Sequence, residues 1–194
     1  EGTFAYVADG SAGVRIVDVS DPAHAADAGR YGAAWSANAQ AIAGNYAYVA
    51  DRDDGLIILD ITDPANPTLA GSYDTNNYAY SVTLSGNYAY VADWDAGLQV
   101  IDVSHPSNPL RVGGYDTPGH ANGVAVNGNY AYVADGDAGL QVVDVVAPVK
   151  PARVGWVEFP EGRARDVAVS GSFAYVAASS LGLQIIDVSN PGNP

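Results

Sequence analysis

The chain has 194 residues, with 22 acidic against 8 basic side chains and a formal net charge of −14. This charge argues against nucleic acid and anionic membrane surfaces as partners, because phosphate binding requires a basic surface. Cysteine is absent, which excludes disulfides, thiol catalysis and zinc–thiolate sites, and no apolar run approaches the roughly 18 residues that would predict a membrane span.

One short motif recurs five times along the chain. Ala-Tyr-Val-Ala-Asp occupies residues 5–9, 47–51, 89–93 and 131–135, and residues 174–178 carry the variant Ala-Tyr-Val-Ala-Ala. Successive copies start 42, 42, 42 and 43 residues apart. A period of this length, built from strand-like segments, is typical of a β-propeller.

Each repeat predicts four antiparallel strands, as the third repeat illustrates. Residues 80–86 form strand A and residues 87–93 form strand B, joined at Ser-Gly-Asn, a sequence typical of a tight turn. Residues 98–103 form strand C, whose continuous apolar run is expected where neighbouring sheets cover both of its faces. A Pro-rich loop leads to strand D at residues 110–115. The sequence therefore predicts an all-β propeller of four-stranded antiparallel blades.

The first and last blades are predicted to be incomplete. A single domain over residues 1–194 divides into units at about 2–44, 45–86, 87–128, 129–171 and 172–194. The chain has five B–C hairpins but only four D–A segments, at residues 28–44, 68–86, 110–128 and 152–171. It thus predicts a first blade without its inner strand A and a last blade without its outer strand D. Three interpretations stay open: a piece of a longer propeller, a closed but imperfect five-blade ring, or open edges completed by neighbouring chains.

Strand C and the loop after it carry a family resemblance. Strand C reads Val-Arg-Ile-Val-Asp at 14–18, Leu-Ile-Ile-Leu-Asp at 56–60, Leu-Gln-Val-Ile-Asp at 98–102, Leu-Gln-Val-Val-Asp at 140–144 and Leu-Gln-Ile-Ile-Asp at 183–187. In four copies the next residues follow a shared pattern that ends in proline, as in Val19-Ser20-Asp21-Pro22. The whole chain resembles the LVIVD repeat. This resemblance implies a bacterial or archaeal propeller, and we therefore expect an extracellular or cell-surface location.

Candidate binding residues lie in the loops that join strand D to A and strand B to C, which share one rim of the propeller. The sequence varies most on this rim, and aromatic and arginine side chains there are typical of recognition surfaces. The larger side chains are Trp35, Arg52, Tyr78, Trp94, His120 and Arg163. Asn38, Tyr80, Asn122 and Arg165 share one register, six residues before the strand A glycine, which predicts a ring around the channel mouth. The alternative is neutral variation in exposed loops.

Three B–C loops also contain an Asp-x-Asp-x-Gly pattern that offers weak calcium candidates. The aspartates are Asp51, Asp53, Asp93, Asp95, Asp135 and Asp137. Clustered carboxylates suit hard cations, but the spacing departs from the EF-hand because the glycine is fifth and no glutamate follows. The alternative is an Asx-turn whose glycine takes a positive φ. No other cofactor is expected.

Residues that recur in every blade are predicted to hold the blades together. The strand C aspartates are expected to cap the Pro-rich loop, and they are Asp18, Asp60, Asp102, Asp144 and Asp187. The tyrosine pairs of strand B are expected to pack between blades, and they are Tyr46 and Tyr48, Tyr88 and Tyr90, and Tyr130 and Tyr132.

The sequence favours a non-enzymatic extracellular module with a structural or interaction role, one that could self-assemble through its incomplete terminal blades into an oligomer or filament. Its expected partners are other protein chains, including copies of itself. His24, His105 and His120 share no register, and no nucleophile or phosphate-binding motif occurs. Two alternatives remain: a propeller that binds a small ligand, a glycan or calcium, and a hydrolase using channel carboxylates, which would depend on Arg165 or Asp166.

Overall fold

The computed structural model describes residues 2–32 and 36–194. Within them the chain is all-β, with five antiparallel sheets that we number as blades 1 to 5. Two 3-10 turns, at Pro22–His24 and Ser179–Leu181, are the only helical segments of the described part of the chain. Neither is long and apolar enough to cross a membrane.

The strands follow one another in chain order within each blade. Blade 1 contains β1 (Phe4–Ala8), β2 (Val14–Asp18) and β3 (Ala26–Tyr31). Blade 2 contains β4 (Ala37–Ala43), β5 (Tyr46–Asp51), β6 (Gly55–Asp60) and β7 (Thr68–Tyr73). Blade 3 contains β8 (Ser81–Ser85), β9 (Tyr88–Ala92), β10 (Leu98–Asp102) and β11 (Leu110–Tyr115). Blade 4 contains β12 (Gly123–Asn127), β13 (Tyr130–Ala134), β14 (Leu140–Asp144) and β15 (Ala152–Val157). Blade 5 contains β16 (Asp166–Ser170), β17 (Phe173–Ala177) and β18 (Leu183–Asp187).

The predicted strand pattern is confirmed. The described residues form 18 strands, with three in blade 1, four in each of blades 2 to 4 and three in blade 5. Blade 1 begins at strand B, and blade 5 ends at strand C. The inner strands β4, β8, β12 and β16 lie next to one another from blade to blade, as in a propeller.

Blades stack through two different faces of strands B and C. We call the side chains that contact the following blade the forward face; in blade 3 they are Tyr90, Ala92, Leu98 and Val100. The side chains on the opposite side, which contact the preceding blade, form the rear face; in blade 3 they are Ala89, Val91 and Ile101. Each interior strand C is thus buried on both sides, which accounts for its continuous apolar run. The predicted packing role of Tyr48, Tyr90 and Tyr132 is confirmed.

The strand C aspartates hold the start of the Pro-rich loop, as predicted. Asp102 Oδ1 accepts a hydrogen bond from the backbone N–H of Ser104 at 2.9 Å, and the other four copies make the same contact two residues on. The Ser104 hydrogen bonds lower the pKa of Asp102 because they favour the charged carboxylate. These aspartates therefore serve the turn that follows strand C.

Candidate functional site

Loops of neighbouring blades meet on one rim of the molecule, where most of the sequence candidates lie. In blade 3 the B–C loop joins the next blade through paired backbone hydrogen bonds between Trp94 and Ala121, at 3.1 and 3.0 Å. Gly10 and Gly136 make the same bridge in blades 1 and 4, and both have a positive φ. Trp94 has a φ of 46° in that position. Its left-handed backbone is therefore accounted for by the bridge between blades.

The large rim side chains form pairs between adjacent blades. Tyr78, His120 and Arg163 hold equivalent positions in successive D–A loops, and each contacts the preceding B–C loop. Arg52 lies 4.5 Å from the ring centroid of Tyr78. Trp94 stacks on His120 with centroids 4.4 Å apart, and Arg163 Nε donates to a carboxylate in the blade 4 B–C loop at 2.7 Å. The same position between a B–C loop and the next D–A loop thus holds a cation–π contact, a ring stack or an ion pair, depending on the blade.

The four residues of the predicted channel ring are engaged with neighbouring side chains or carbonyls. Asn38 Nδ2 donates to the carbonyl of Ala79 at 3.1 Å, and Asn122 Nδ2 makes the equivalent bond to Ala164 at 3.0 Å. Tyr80 contacts the ring of Trp94 with centroids 5.1 Å apart. Asn38 and Asn122 therefore link adjacent blades near the start of their inner strands. Trp35, the remaining aromatic candidate, lies outside the described residues.

Arg165, the fourth member of the ring, lines a cavity of about 530 Å³ between blades 4 and 5. Its Nε donates to Ser179 Oγ at 3.2 Å. Ser179 Oγ in turn donates to the carbonyl of Arg163, and Ser180 Oγ donates to that of Glu161. Two arginines and two acidic residues thus line this cavity, which leaves its charges balanced.

The weak calcium candidates divide into buried and exposed aspartates. Asp51, Asp93 and Asp135 are fully buried and accept hydrogen bonds from the rim loops, such as that from Thr117 Oγ1 to Asp135 Oδ1 at 2.6 Å. Burial raises the pKa of Asp93 and of Asp135 to about 6, against opposing hydrogen bonds from Thr75 and Thr117. These carboxylates therefore act as acceptors inside the rim.

The second aspartates of the pattern lie on the surface; Asp53 is exposed, and the other two have side-chain partners on the next D–A loop. Asp95 Oδ1 lies 2.6 Å from His120 Nδ1, and Asp137 accepts from Arg163. Gly97 of the same loop has a φ of 68°, in agreement with the predicted turn. In residues 2–32 and 36–194 no three acidic or histidine side chains gather as a metal site would require.

The three histidines lie in separate environments. His24 Nδ1 is 2.8 Å from Asp21 Oδ2, and His105 Nδ1 is 3.1 Å from Ser104 Oγ. His120 belongs to the rim, next to Asp95. Asp166, named with Arg165 for the hydrolase alternative, accepts a hydrogen bond from the backbone N–H of Val167. The structure does not bring the histidines together.

The forward face of blade 5 is an exposed apolar surface. Leu183 is 63% exposed and Ile185 is 61% exposed, whereas their equivalents in blades 2 to 4 are 0% exposed. Those equivalents are Leu56 and Ile58, Leu98 and Val100, and Leu140 and Val142. The side chains that a following blade covers elsewhere in the chain are therefore open to solvent in blade 5.

The rear face of blade 1 is exposed at the other end of the stack. Val7 is 42% exposed, and its equivalents Val49, Val91, Val133 and Val176 are 0% exposed. Ala5 and Val17 on the same face are half-buried. The two terminal blades thus present the two halves of one repeated interface.

Reasoning from the sequence located the open ends but did not name these apolar side chains as a site. A signal for them was present, because Val7, Leu183 and Ile185 hold the repeat register of residues that face another blade. All three could have been identified by asking, for each apolar position of strands B and C, whether the sequence supplies a neighbouring blade to cover it.

Comparison with solved structures supports the propeller architecture. The chain is similar to the computationally designed Ika8 protein, with a TM-score of 0.73 and 11% identity over 98% of this chain. It is also similar to the computationally designed Ika4 protein, with a TM-score of 0.64 and 12% identity over 79% of this chain and 92% of that one. The chain spans 57% of the length of the Ika8 chain. At these identities the similarity concerns the fold alone.

Comparison with protein families gives the relationship of the sequence. No curated protein sequence matches the chain significantly. Five segments match the LVIVD repeat, at residues 1–33, 36–75, 77–117, 118–158 and 161–194. Because these segments cover nearly the whole chain and coincide with the blades, the protein belongs to the LVIVD repeat family.

Proposed function

We propose that this chain is an extracellular interaction module that associates head to tail. The forward face of blade 5 in one copy docks on the rear face of blade 1 in a second copy. The contact repeats the way in which blade 4 docks on blade 5 inside the chain. This role is non-enzymatic: it assigns the chain an assembly surface and no chemical step.

The exposure of Leu183 and Ile185 carries the proposal. Two neighbouring aliphatic side chains that are each more than 60% exposed lie in a register that is fully buried in three other blades. Exposed apolar patches of this kind mark contact surfaces. Covering the two side chains would contribute roughly 2–4 kcal/mol, since complete burial of such a side chain contributes about 1.5–3 kcal/mol.

A second copy is the favoured occupant because the chain itself carries the complementary face. Inside the chain, forward faces are covered by a valine of strand B, a small alanine beside it and aliphatic residues of strand C. Blade 1 presents Val7, Ala5 and Val17 in those positions. A contact between two different faces is heterologous, and such contacts propagate into rings or filaments.

An extracellular location is part of this proposal. The resemblance to surface propellers supports it, as does the absence of cysteine and methionine, the two residues most easily oxidised. A net charge of −14 is also compatible with solubility at high protein concentration.

The test is the mass of the protein in solution over a wide range of concentrations, for the wild type and two charge variants. Leu183→Glu places a charge in the proposed contact and should reduce association by at least about tenfold. Leu110→Glu is the matched control, because Leu110 is 55% exposed on the outer strand of blade 3, away from both terminal faces. A wild type that stays monomeric at every concentration, or a Leu110→Glu variant as impaired as Leu183→Glu, would overturn the proposal.

A further inference from the structure

The outer edge of strand β18 in blade 5 has no strand partner among the described residues, and it is separate from the apolar face of that blade. In blades 1 to 4 strand C pairs with an outer strand D, as β14 pairs with β15. In blade 5, β18 pairs only with β17 among the described residues. Its outer backbone groups are therefore positioned to receive another strand.

In blades 1 to 4 one side chain of strand C lies beside one side chain of strand D. Where the strand C residue differs between blades, the strand D residue differs with it, so that the two remain chemically compatible. The two positions are 12 residues apart in each repeat. The pairs are Arg15 with Asp27, Ile57 with Leu69, Gln99 with Arg111, and Gln141 with Arg153. Arg15 and Asp27 form an ion pair at 3.3 Å, while Ile57 and Leu69 line one surface cavity. Each strand C side chain thus faces a strand D residue of compatible chemistry.

The glutamine–arginine pairs of blades 3 and 4 indicate which side chain Gln184 is positioned to bind. In blades 3 and 4 the glutamine Oε1 accepts from an arginine of strand D, with Arg111 Nε at 2.5 Å and Arg153 Nη1 at 3.2 Å. The amide nitrogen of the same glutamine donates to a carbonyl three residues earlier, which orients the acceptor oxygen towards strand D.

Gln184 has the same orientation without the arginine. Its Nε2 donates to the carbonyl of Leu181 at 2.7 Å, the distance found for Gln141 and Ala138. No donor to Gln184 Oε1 occurs in the part of the chain that the structure describes. The acceptor is thus held in place by the blade itself, before any strand binds.

We propose that the β18 edge binds an extended peptide segment that carries an arginine opposite Gln184. The segment adds to blade 5 as strand D, with main-chain hydrogen bonds to β18 and the arginine donating to Gln184 Oε1. The acidic chain favours a cationic segment over a neutral one. This site is independent of the head-to-tail contact, since Leu183 and Ile185 point to the forward face and Gln184 points to the other side of the sheet.

The probe is a fluorescent peptide with the sequence of residues 108–115, Asn-Pro-Leu-Arg-Val-Gly-Gly-Tyr, which contains strand D of blade 3 and carries its single charge on Arg111. Its binding to the full chain is measured by fluorescence anisotropy in the Val7→Glu variant, whose substitution lies in blade 1. Val7→Glu disrupts the rear face of blade 1, so the measured peptide binding does not depend on whether wild-type chains associate head to tail. We expect saturable binding, and about tenfold weaker binding of the peptide with Arg111→Leu.

A double-mutant cycle assigns the contact to Gln184. Gln184→Ile should weaken the arginine peptide about tenfold and restore binding of the Arg111→Leu peptide, because it recreates the Ile57 and Leu69 pair of blade 2. Gln141→Ile is the matched control and should leave peptide affinity unchanged, since Gln141 is already covered by β15. Equal affinity for both peptides, equal loss with either glutamine variant, or pairing of two β18 edges that excludes peptide would overturn the proposal.

Discussion

Gly71 in the outer strand of blade 2 lies directly against the carbonyl of Pro106 in the C–D loop of blade 3. A Cβ atom on Gly71 would be 2.3 Å from that oxygen, closer than any real contact allows. The same arrangement links Gly29 to Pro64, Gly113 to Pro148 and Gly155 to Pro191, with distances of 2.0 to 2.2 Å. In blades 2 to 5 the Pro-rich loop therefore packs directly against a glycine in the outer strand of the preceding blade.

Gly71→Ala should destabilise the protein by about 1–3 kcal/mol, because the backbone of one blade must move away from the next. Thermal or urea unfolding monitored by circular dichroism measures the effect. Gly192→Ala is the control, since a Cβ there would meet its nearest atom at an ordinary 3.7 Å. Equal stability of the two variants would show that the blades tolerate a gap at this contact.

Leu140→Ala and Leu183→Ala compare one register position in two environments. Leu140 is fully buried between blades 4 and 5, so its truncation should cost about 2–5 kcal/mol. Leu183 is exposed in the isolated chain, so its truncation should change stability by less than about 0.5 kcal/mol. Unfolding in dilute solution separates the two cases, and a large loss for Leu183→Ala would mean that its face is already covered there.

Asp93 should make the protein more stable as the pH falls from about 7.5 to about 5. Its native pKa of about 6 exceeds the ordinary value of 3.8, so the native state binds the proton more readily than the unfolded chain in this range. The resulting gain is about 1 kcal/mol. Asp93→Asn should lack this part of the pH dependence, whereas Asp53→Asn, in the exposed part of the same kind of loop, should retain it.

The contradicting result for Asp93 is a stability difference between wild type and Asp93→Asn that does not change with pH. Asp135 titrates in the same direction in both proteins, so it cancels from that difference. The strand C carboxylates with lowered pKa values, such as Asp102, act in the opposite direction and only at more acidic pH, and they cancel as well.

Millimolar calcium should leave the melting temperature unchanged. Asp51, Asp93 and Asp135 are buried acceptors of protein hydrogen bonds, and Asp95 and Asp137 are paired with His120 and Arg163. A ligand that binds only the native state raises the free energy of unfolding by an amount that grows with the ratio of ligand concentration to Kd. Melting curves with calcium and with a chelator provide the measurement, and a rise of several degrees that the chelator reverses would instead support the calcium interpretation.

The repeat pattern was sufficient to predict the blades, because strand, turn and loop each depend on local residues. Strand D of blade 3 was predicted at its observed bounds, Leu110–Tyr115. The missing strands of blades 1 and 5 followed from counting segments. Strand bounds and strand counts can be predicted within one repeat, without the distances between blades.

The roles of the rim residues depend on that distance and could not be read from one repeat. Asn38 and Asn122 share the predicted register, yet each donates to a carbonyl of the next blade, 41 or 42 residues away. The sequence shows matched changes at the positions of Gln99 and Arg111, 12 residues apart. The bulged pairing of β10 and β11 is needed to show that these two side chains form a hydrogen bond. Packing between blades therefore determines what the variable positions do.

The most direct test of head-to-tail association mixes two variants that each block a different face. Leu183→Glu keeps the rear face of blade 1, and Val7→Glu keeps the forward face of blade 5. Each variant alone should be monomeric by sedimentation, while an equimolar mixture should form dimers of twice the 19.9 kDa chain mass and nothing longer. A mixture that stays monomeric at concentrations where the wild type associates would contradict the head-to-tail contact.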